Sequence, residues 1–225
     1  MKINTFLIIS LLFFLIFLSC KDTNREIKEN NNSLLIKTDS LSLNLLTDFL
    51  PLYENGDVNA VIEIPSGTLQ KWELNKSKGQ VEWEKVNDIP RIVNYLAYPA
   101  NYGMIPRTLL SKEQGGDGDP LDIIVLGPPA KRASVIRCKI IGVLYLLDRG
   151  EQDNKLVAIS SNSPLYEGNN IDELDEKYIG ITDILQLWFT NYKGPGKMKS
   201  KGFGDKHDAK KILTSAISEY KSNKN

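Results

Sequence analysis

The chain has 225 residues, enough for one domain and a leader, since domains usually hold about 100–200 residues. At 41% hydrophobic and 25% charged, its composition is that of a soluble globular protein with apolar material for a real core. The 28 basic and 28 acidic residues cancel, so charge gives no reason to expect nucleic acid, which calls for a basic face.

Residues 1–19 read as a leader rather than as part of the fold. Lys2 supplies a positive start, and Phe6 to Leu18 form an apolar run broken only by Ser10. The run is short for a membrane span, which needs about 20 residues, and suits the apolar region of a secretory signal. Ser19-Cys20 closes it, followed by polar Lys21, Asp22, Thr23 and Asn24. A cysteine there resembles the acylated residue of a bacterial lipobox, with Phe17 where Leu is usual and Leu18 where a smaller residue is common. This predicts a lipoprotein signal peptide over 1–19, lipidation of Cys20, and an exported protein anchored to a membrane of the cell envelope or periplasm. An uncleaved signal anchor is the alternative.

Residues 20–56 form a polar tether and N-terminal extension. Lys21–Asn32 is polar and aperiodic, with three consecutive asparagines, whereas Ser33–Tyr53 is richer in leucine and suits packing on the body. The main domain then runs over 57–225. Val58–Pro65 reads as a strand, and Gln70–Asn75 with Gln80–Lys85 as a hairpin turning at Lys76-Ser77-Lys78-Gly79. Leu121–Leu126, Ser134–Leu147 and Lys155–Ser160 are three further branched, apolar runs. Cys138, inside the second of these, reads as a buried and inert thiol. The C-terminal third changes period. Ile184, Leu187 and Trp188 stand behind Thr182 as N-cap, and Ala209, Ile212, Leu213, Ala216, Ile217 and Tyr220 form one stripe. Strands first and helices last predict an α+β fold: a five-stranded OB-like β-barrel with flanking helices.

The chemistry concentrates in Gly115–Asp122, GGDGDPLD, where Asp117, Asp119 and Asp122 crowd into one tight turn. Such crowding is repulsive without a cation, and Mg²⁺ accepts one or two carboxylates plus water and phosphate. By itself the segment also reads as an acidic surface turn. It is not an EF-hand loop, whose glutamate at position 12 would fall at Pro128. Asp148 and Asp153 form a second acidic group before Lys155. Lys71, Arg91, Tyr102, Tyr192 and Lys193 stand near predicted element ends and, with the acids, suit a cation-bridged polyphosphate. His207, the single histidine, reads as solvated or capping. No glycine-rich nucleotide loop with a Gly-Lys-Ser/Thr ending is present.

Tyr98-Pro-Ala-Asn-Tyr-Gly103, Asp117-Gly-Asp-Pro-Leu-Asp122, Asp148 with Asp153-x-Lys155, and Tyr192-Lys193 closely resemble the family I soluble inorganic pyrophosphatases in order and spacing. Glu63-Ile-Pro65 and Lys71-Trp-Glu73 fit the opening strands, so the resemblance spans about residues 58–220. It implies hydrolysis of inorganic pyrophosphate to two phosphates by in-line attack of a metal-bridged hydroxide. Asp117, Asp122 and Asp153 would hold two activating Mg²⁺ ions. Asp148 and Glu63 would help to hold further ions arriving with substrate. Asp119 would be the general base, and Lys71, Arg91, Tyr102, Lys155, Tyr192 and Lys193 would grip the phosphoryl groups. A homo-oligomer is expected, with a state that differs among family members. Two positions depart from the pattern. The family arginine aligns with Pro90, one before Arg91, and Arg149 stands where bacterial members often carry an acid. The rival reading is an exported, catalytically silent phosphate- or metal-binding module on an OB-like barrel, against which the presence of Asp119 argues.

Overall fold

A computed structural model of the chain describes residues 43–112 and 115–223. The leader, Cys20 and the tether before residue 43 lie outside the described residues. Among the described residues no helix is long and apolar enough to cross a membrane.

Among the described residues eleven strands and three helices follow in order: β1 Val58–Ile64, β2 Trp72–Asn75, β3 Gln80–Trp83, β4 Lys85–Val86, β5 Ile89–Pro90, β6 Asn101–Met104, β7 Asp122–Leu126, β8 Val135–Asp148, β9 Glu151–Gln152, β10 Lys155–Ser160, α1 Ile171–Lys177, α2 Ile181–Asn191, β11 Met198–Gly204 and α3 Lys206–Ser222. Five of them close a ring. β1 pairs with β6, β6 with β7, β7 with β10, β10 with β8, and β8 returns to β1. The closure depends on β8, whose 14 residues reach β1 at one end and β10, β9 and β11 further along. A closed ring leaves no edge strand within it, and the expected OB-like architecture is what forms.

Alternate residues of the same strands feed two hydrophobic clusters, as the period of 2 demands. Ile123 and Val125 of β7, with Leu156 and Ala158 of β10, join Ala209, Leu213 and Ala216 of α3. Ile124, Leu126, Val157 and Ile159 instead join Leu174 of α1 and Leu185, Trp188 and Phe189 of α2. The predicted stripe of the last helix is therefore its packing face. Asp205 caps that helix, accepting from the Asp208 N–H at 2.9 Å, and His207 is exposed. Cys138 is buried and free, with its thiol pushed up by burial.

The extension packs where it is described. Leu45 is buried against Val61 and Met104, and its N–H donates to the Gly79 carbonyl at 2.8 Å. Two local expectations fail. The N-cap of α2 is Gly180, at φ 91°, while Thr182 lies in the first turn and donates to Asp175 at 2.6 Å. Ile184 and Leu187 are exposed, and α2 buries Thr182, Leu185, Trp188 and Phe189 instead. The face is rotated because aromatic packing of Trp188 and Phe189 on Tyr98 and Tyr102 outweighs the simpler aliphatic spacing.

Candidate active site

The charged side chains meet because strand ends gather at one place. β7 and β10 run parallel with Ile123 beside Leu156, so their first residues, Asp122 and Lys155, begin side by side. β8 ends at Asp148, and Asp153 follows the short return strand β9. β6 pairs Met104 with Asp122 and carries Tyr102 beside the end of β1. At Glu63 the β1–β6 register shifts, a bulge of the kind that redirects a side chain. The Glu63 carboxylate then accepts from the Leu74 N–H of β2 at 2.6 Å. Asp117 accepts from the Asp119 N–H at 2.9 Å, which fixes the acidic turn ahead of β7.

The result is one cleft of about 460 Å³. All twelve motif residues line it: Glu63, Lys71, Arg91, Tyr102, Asp117, Asp119, Asp122, Asp148, Asp153, Lys155, Tyr192 and Lys193. Glu73, Lys76 and Arg149 join them, which makes seven carboxylates and six cations. Lys76 was not singled out in the sequence, since only the fold brings the β2–β3 turn to the acidic loop. There its ammonium donates to the Gly118 carbonyl at 2.9 Å and to Asp119 at 2.5 Å.

Lysines neutralise the carboxylates pairwise. Lys155, 2% exposed, donates to both Asp122 and Asp153, the latter at 2.5 Å. These anions raise its pKa against the opposing effect of burial. Lys193 donates to Asp148 Oδ2 at 2.7 Å and lies 3.8 Å from Asp153. Arg91 holds Glu84 at 2.8 Å through both carboxylate oxygens, so its guanidinium reaches the cleft already paired. Lys71 sits 3.8 Å from Glu73. Burial pushes the Glu63 carboxyl up to about 7, with Asp122 adding to the rise, while Lys71 and the Leu74 N–H oppose it.

The aromatic residues shape the wall. Tyr192 stacks on Trp188 with centroids 4.7 Å apart, and Tyr98 packs on Trp188 at 4.4 Å. Lys71 and Lys155 both stand over the Tyr102 ring, at 5.9 and 5.7 Å from its centroid. Within the Tyr98–Gly103 motif, Asn101 is wholly structural: its side chain accepts from Ser66 and Ala130 and donates to Val125 and Pro128.

The donor set suits a hard cation. It is all oxygen, and Asp148 Oδ1 is buried with no hydrogen-bond partner, as a ligand atom awaiting a cation would be. Among the described residues no three acidic, histidine or cysteine side chains converge closely enough to hold an ion unaided. A closed barrel with such a cleft defines a class of protein, one whose site sets clustered carboxylates among lysine and arginine side chains.

Comparison with known proteins carries this further. Residues 60–221 match the family model of inorganic pyrophosphatase. An inorganic pyrophosphatase of Campylobacter jejuni is 36% identical over 168 residues, covering 73% of this chain and 92% of its own. The solved inorganic pyrophosphatase of Helicobacter pylori is 30% identical with a TM-score of 0.66, over 77% of this chain and 99% of that one. A truncated vacuolar soluble pyrophosphatase of Trypanosoma cruzi, solved in complex with PPi, is 27% identical with a TM-score of 0.71, over 79% and 72%. The chain belongs to the inorganic pyrophosphatase family, among the family I soluble enzymes.

Proposed function

We propose that this cleft hydrolyses inorganic pyrophosphate to two phosphates in a metal-dependent reaction, residues 57–225 forming the catalytic domain. The observation that carries the reading is the convergence on one cleft of all twelve motif residues, drawn from β1, β6, β7, β8, β10 and the end of α2, from the loop before β7, and from positions beside β2, β5 and β9. A tetra-anionic substrate cannot readily enter among seven carboxylates without added cations, since five of the six fixed ones are already paired to acids.

Asp117, Asp122 and Asp153 would hold two activating Mg²⁺ ions. Asp148 and Glu63 would help to hold ions that accompany substrate. Bound Mg²⁺ supplies charge neutralisation and acidifies the attacking water. Asp119 takes the proton from that water. Asp119 is exposed to the cleft mouth and its backbone is pinned by Asp117, so the carboxylate is positioned without being buried. Lys71, Arg91, Tyr102, Lys155, Tyr192 and Lys193 orient the diphosphate and meet the charge that develops on the leaving phosphate. Tyr102 is buried, which holds its phenol well above its ordinary pKa and keeps it a proton donor. A silent binding module has no use for Asp119 so placed.

The decisive assay is phosphate release from pyrophosphate by the purified protein with and without Mg²⁺. Release is expected only with Mg²⁺ or a similar ion, and turnover that survives excess EDTA would overturn the reading. The leader supports a further assignment: residues 1–19 are a signal peptide, and Cys20 carries the lipid that anchors the mature protein in the cell envelope. Mass spectrometry of the mature N-terminus tests it, an unmodified Met1 being the contrary result. Assembly into a homo-oligomer is expected as well, and sedimentation velocity tests it.

A further inference from the structure

Arg149 lines the cleft and is exposed, and among the described residues it closes no ion pair. Each of the other five cations lining the cleft is paired to a carboxylate. Its neighbour Asp148 is served from elsewhere, by Lys193 on Oδ2.

The backbone beneath Arg149 makes the residue choice informative. β8 and β9 pair Asp148 with Glu151, leaving Arg149 and Gly150 as a two-residue turn with φ of 51° and 99°. Left-handed backbone at both positions favours Asn-Gly or Asp-Gly, because a longer side chain is disfavoured there. The turn is also tied down, since the Arg149 N–H donates to the Lys197 carbonyl at 2.8 Å. A side chain held in this conformation at a site edge points to use rather than to turn formation.

We propose that Arg149 is a substrate-binding residue, its guanidinium taking two oxygens of the phosphoryl group that lies beside Asp148 and Lys193. This rests on pyrophosphate being the substrate. A guanidinium offers paired N–H donors that match phosphate and stays charged at any working pH, so this grip needs no divalent ion of its own. It also limits the substrate, because the contact asks for an anionic group that presents two oxygens at that end of the cleft.

The test compares Arg149→Asn and Arg149→Lys with the wild-type protein at saturating Mg²⁺. Arg149→Asn should raise KM roughly tenfold or more, with kcat within a few-fold, while its Tm equals or exceeds that of wild type because Asn suits the turn. Arg149→Lys should recover part of the loss. Calorimetric affinity for methylenediphosphonate, which cannot be hydrolysed, should fall by the same factor as KM rises. Unchanged KM and diphosphonate affinity would overturn the assignment. So would a lowered Tm accompanied by equal losses in kcat for both variants, which is the mark of a collapsed turn. If the wild-type protein releases no phosphate from pyrophosphate, the functional reading fails, and the diphosphonate titration still decides whether Arg149 binds the anion.

Discussion

Lys76 and Asp119 meet at 2.5 Å across the mouth of the cleft, joining the β2–β3 turn to the loop ahead of β7. Their side chains are 51% and 55% exposed, so the pair contributes about 0–1 kcal/mol to stability. Lys76→Ala should therefore shift Tm by at most about 2–4 °C. Asp119→Asn should lower kcat by about 10²–10⁴-fold, as expected for a lost general base, and leave Mg²⁺ affinity intact. Asp122→Asn should weaken Mg²⁺ binding itself. Equal calorimetric losses of Mg²⁺ affinity in the two aspartate variants would show that the roles are wrongly divided.

Lys155 is a buried cation with Asp122 on one side and Asp153 on the other. Removing one partner of a buried pair costs about 3–5 kcal/mol because the remaining charge is left without compensation. Lys155→Met should show a loss of that order when unfolded in EDTA. Mg²⁺ should narrow the gap, since the two freed carboxylates then take a divalent ion in place of the ammonium. Parallel melts in EDTA and in Mg²⁺ measure this, and a gap unaltered by Mg²⁺ would mean that Asp122 and Asp153 do not bind the ion.

The site was more legible in the sequence than the fold around it. Asp117, Asp119 and Asp122 announce themselves because their repulsion is local and visible within one turn. Lys76 gives no such signal: its distance from Asp119 along the chain is 43 residues, and only the hairpin geometry brings the two together. β11 reads MKSKGFG, with a glycine at φ 85° and no clean alternation, so its pairing with β8 is a tertiary fact. α1 has only 7 residues and two buried side chains, too few for a helical period to stand out. Arg91 was identified by proximity to the motif, yet its guanidinium is bound to Glu84, a partner that the strand pairing rather than the motif supplies.

Glu63 gives the metal-free protein a pH dependence of defined sign. Burial moves its carboxyl from an ordinary 4.5 to about 7, so the folded chain holds a proton that the unfolded chain releases between those values. That contribution is complete below about pH 4.5 and is lost as pH rises through about 7. At about 1.4 kcal/mol per pKa unit the effect is of the order of a few kcal/mol. In EDTA, wild-type stability relative to Glu63→Gln should fall between pH 5 and 8. Added Mg²⁺ should flatten the difference, because a nearby cation favours the carboxylate. Identical pH profiles for the two proteins in EDTA would place the Glu63 carboxylate in water instead.

Gly103, the last residue of the Tyr98–Gly103 motif, tests whether that motif acts through contact or through backbone approach. A Cβ at this position would lie 1.9 Å from the Val61 carbonyl oxygen and 3.1 Å from the Glu63 nitrogen, both of them backbone atoms of β1. Neither can swing aside as a flexible side chain would, so Gly103→Ala must part β6 from β1. Forcing even one carbon into a filled space typically costs about 1–3 kcal/mol. For a domain of this size that is a fall in Tm of about 2–12 °C. The parting would also displace Tyr102 and Glu63, which flank the contact on the two strands. Gly103→Ala should therefore lose both Tm and kcat/KM, and Gly103→Ser should lose at least as much. Calorimetric melts with matched kinetics measure the pair. A Gly103→Ala protein with wild-type Tm and turnover would mean that β1 and β6 are free to separate there, and that the glycine serves neither the fold nor the cleft.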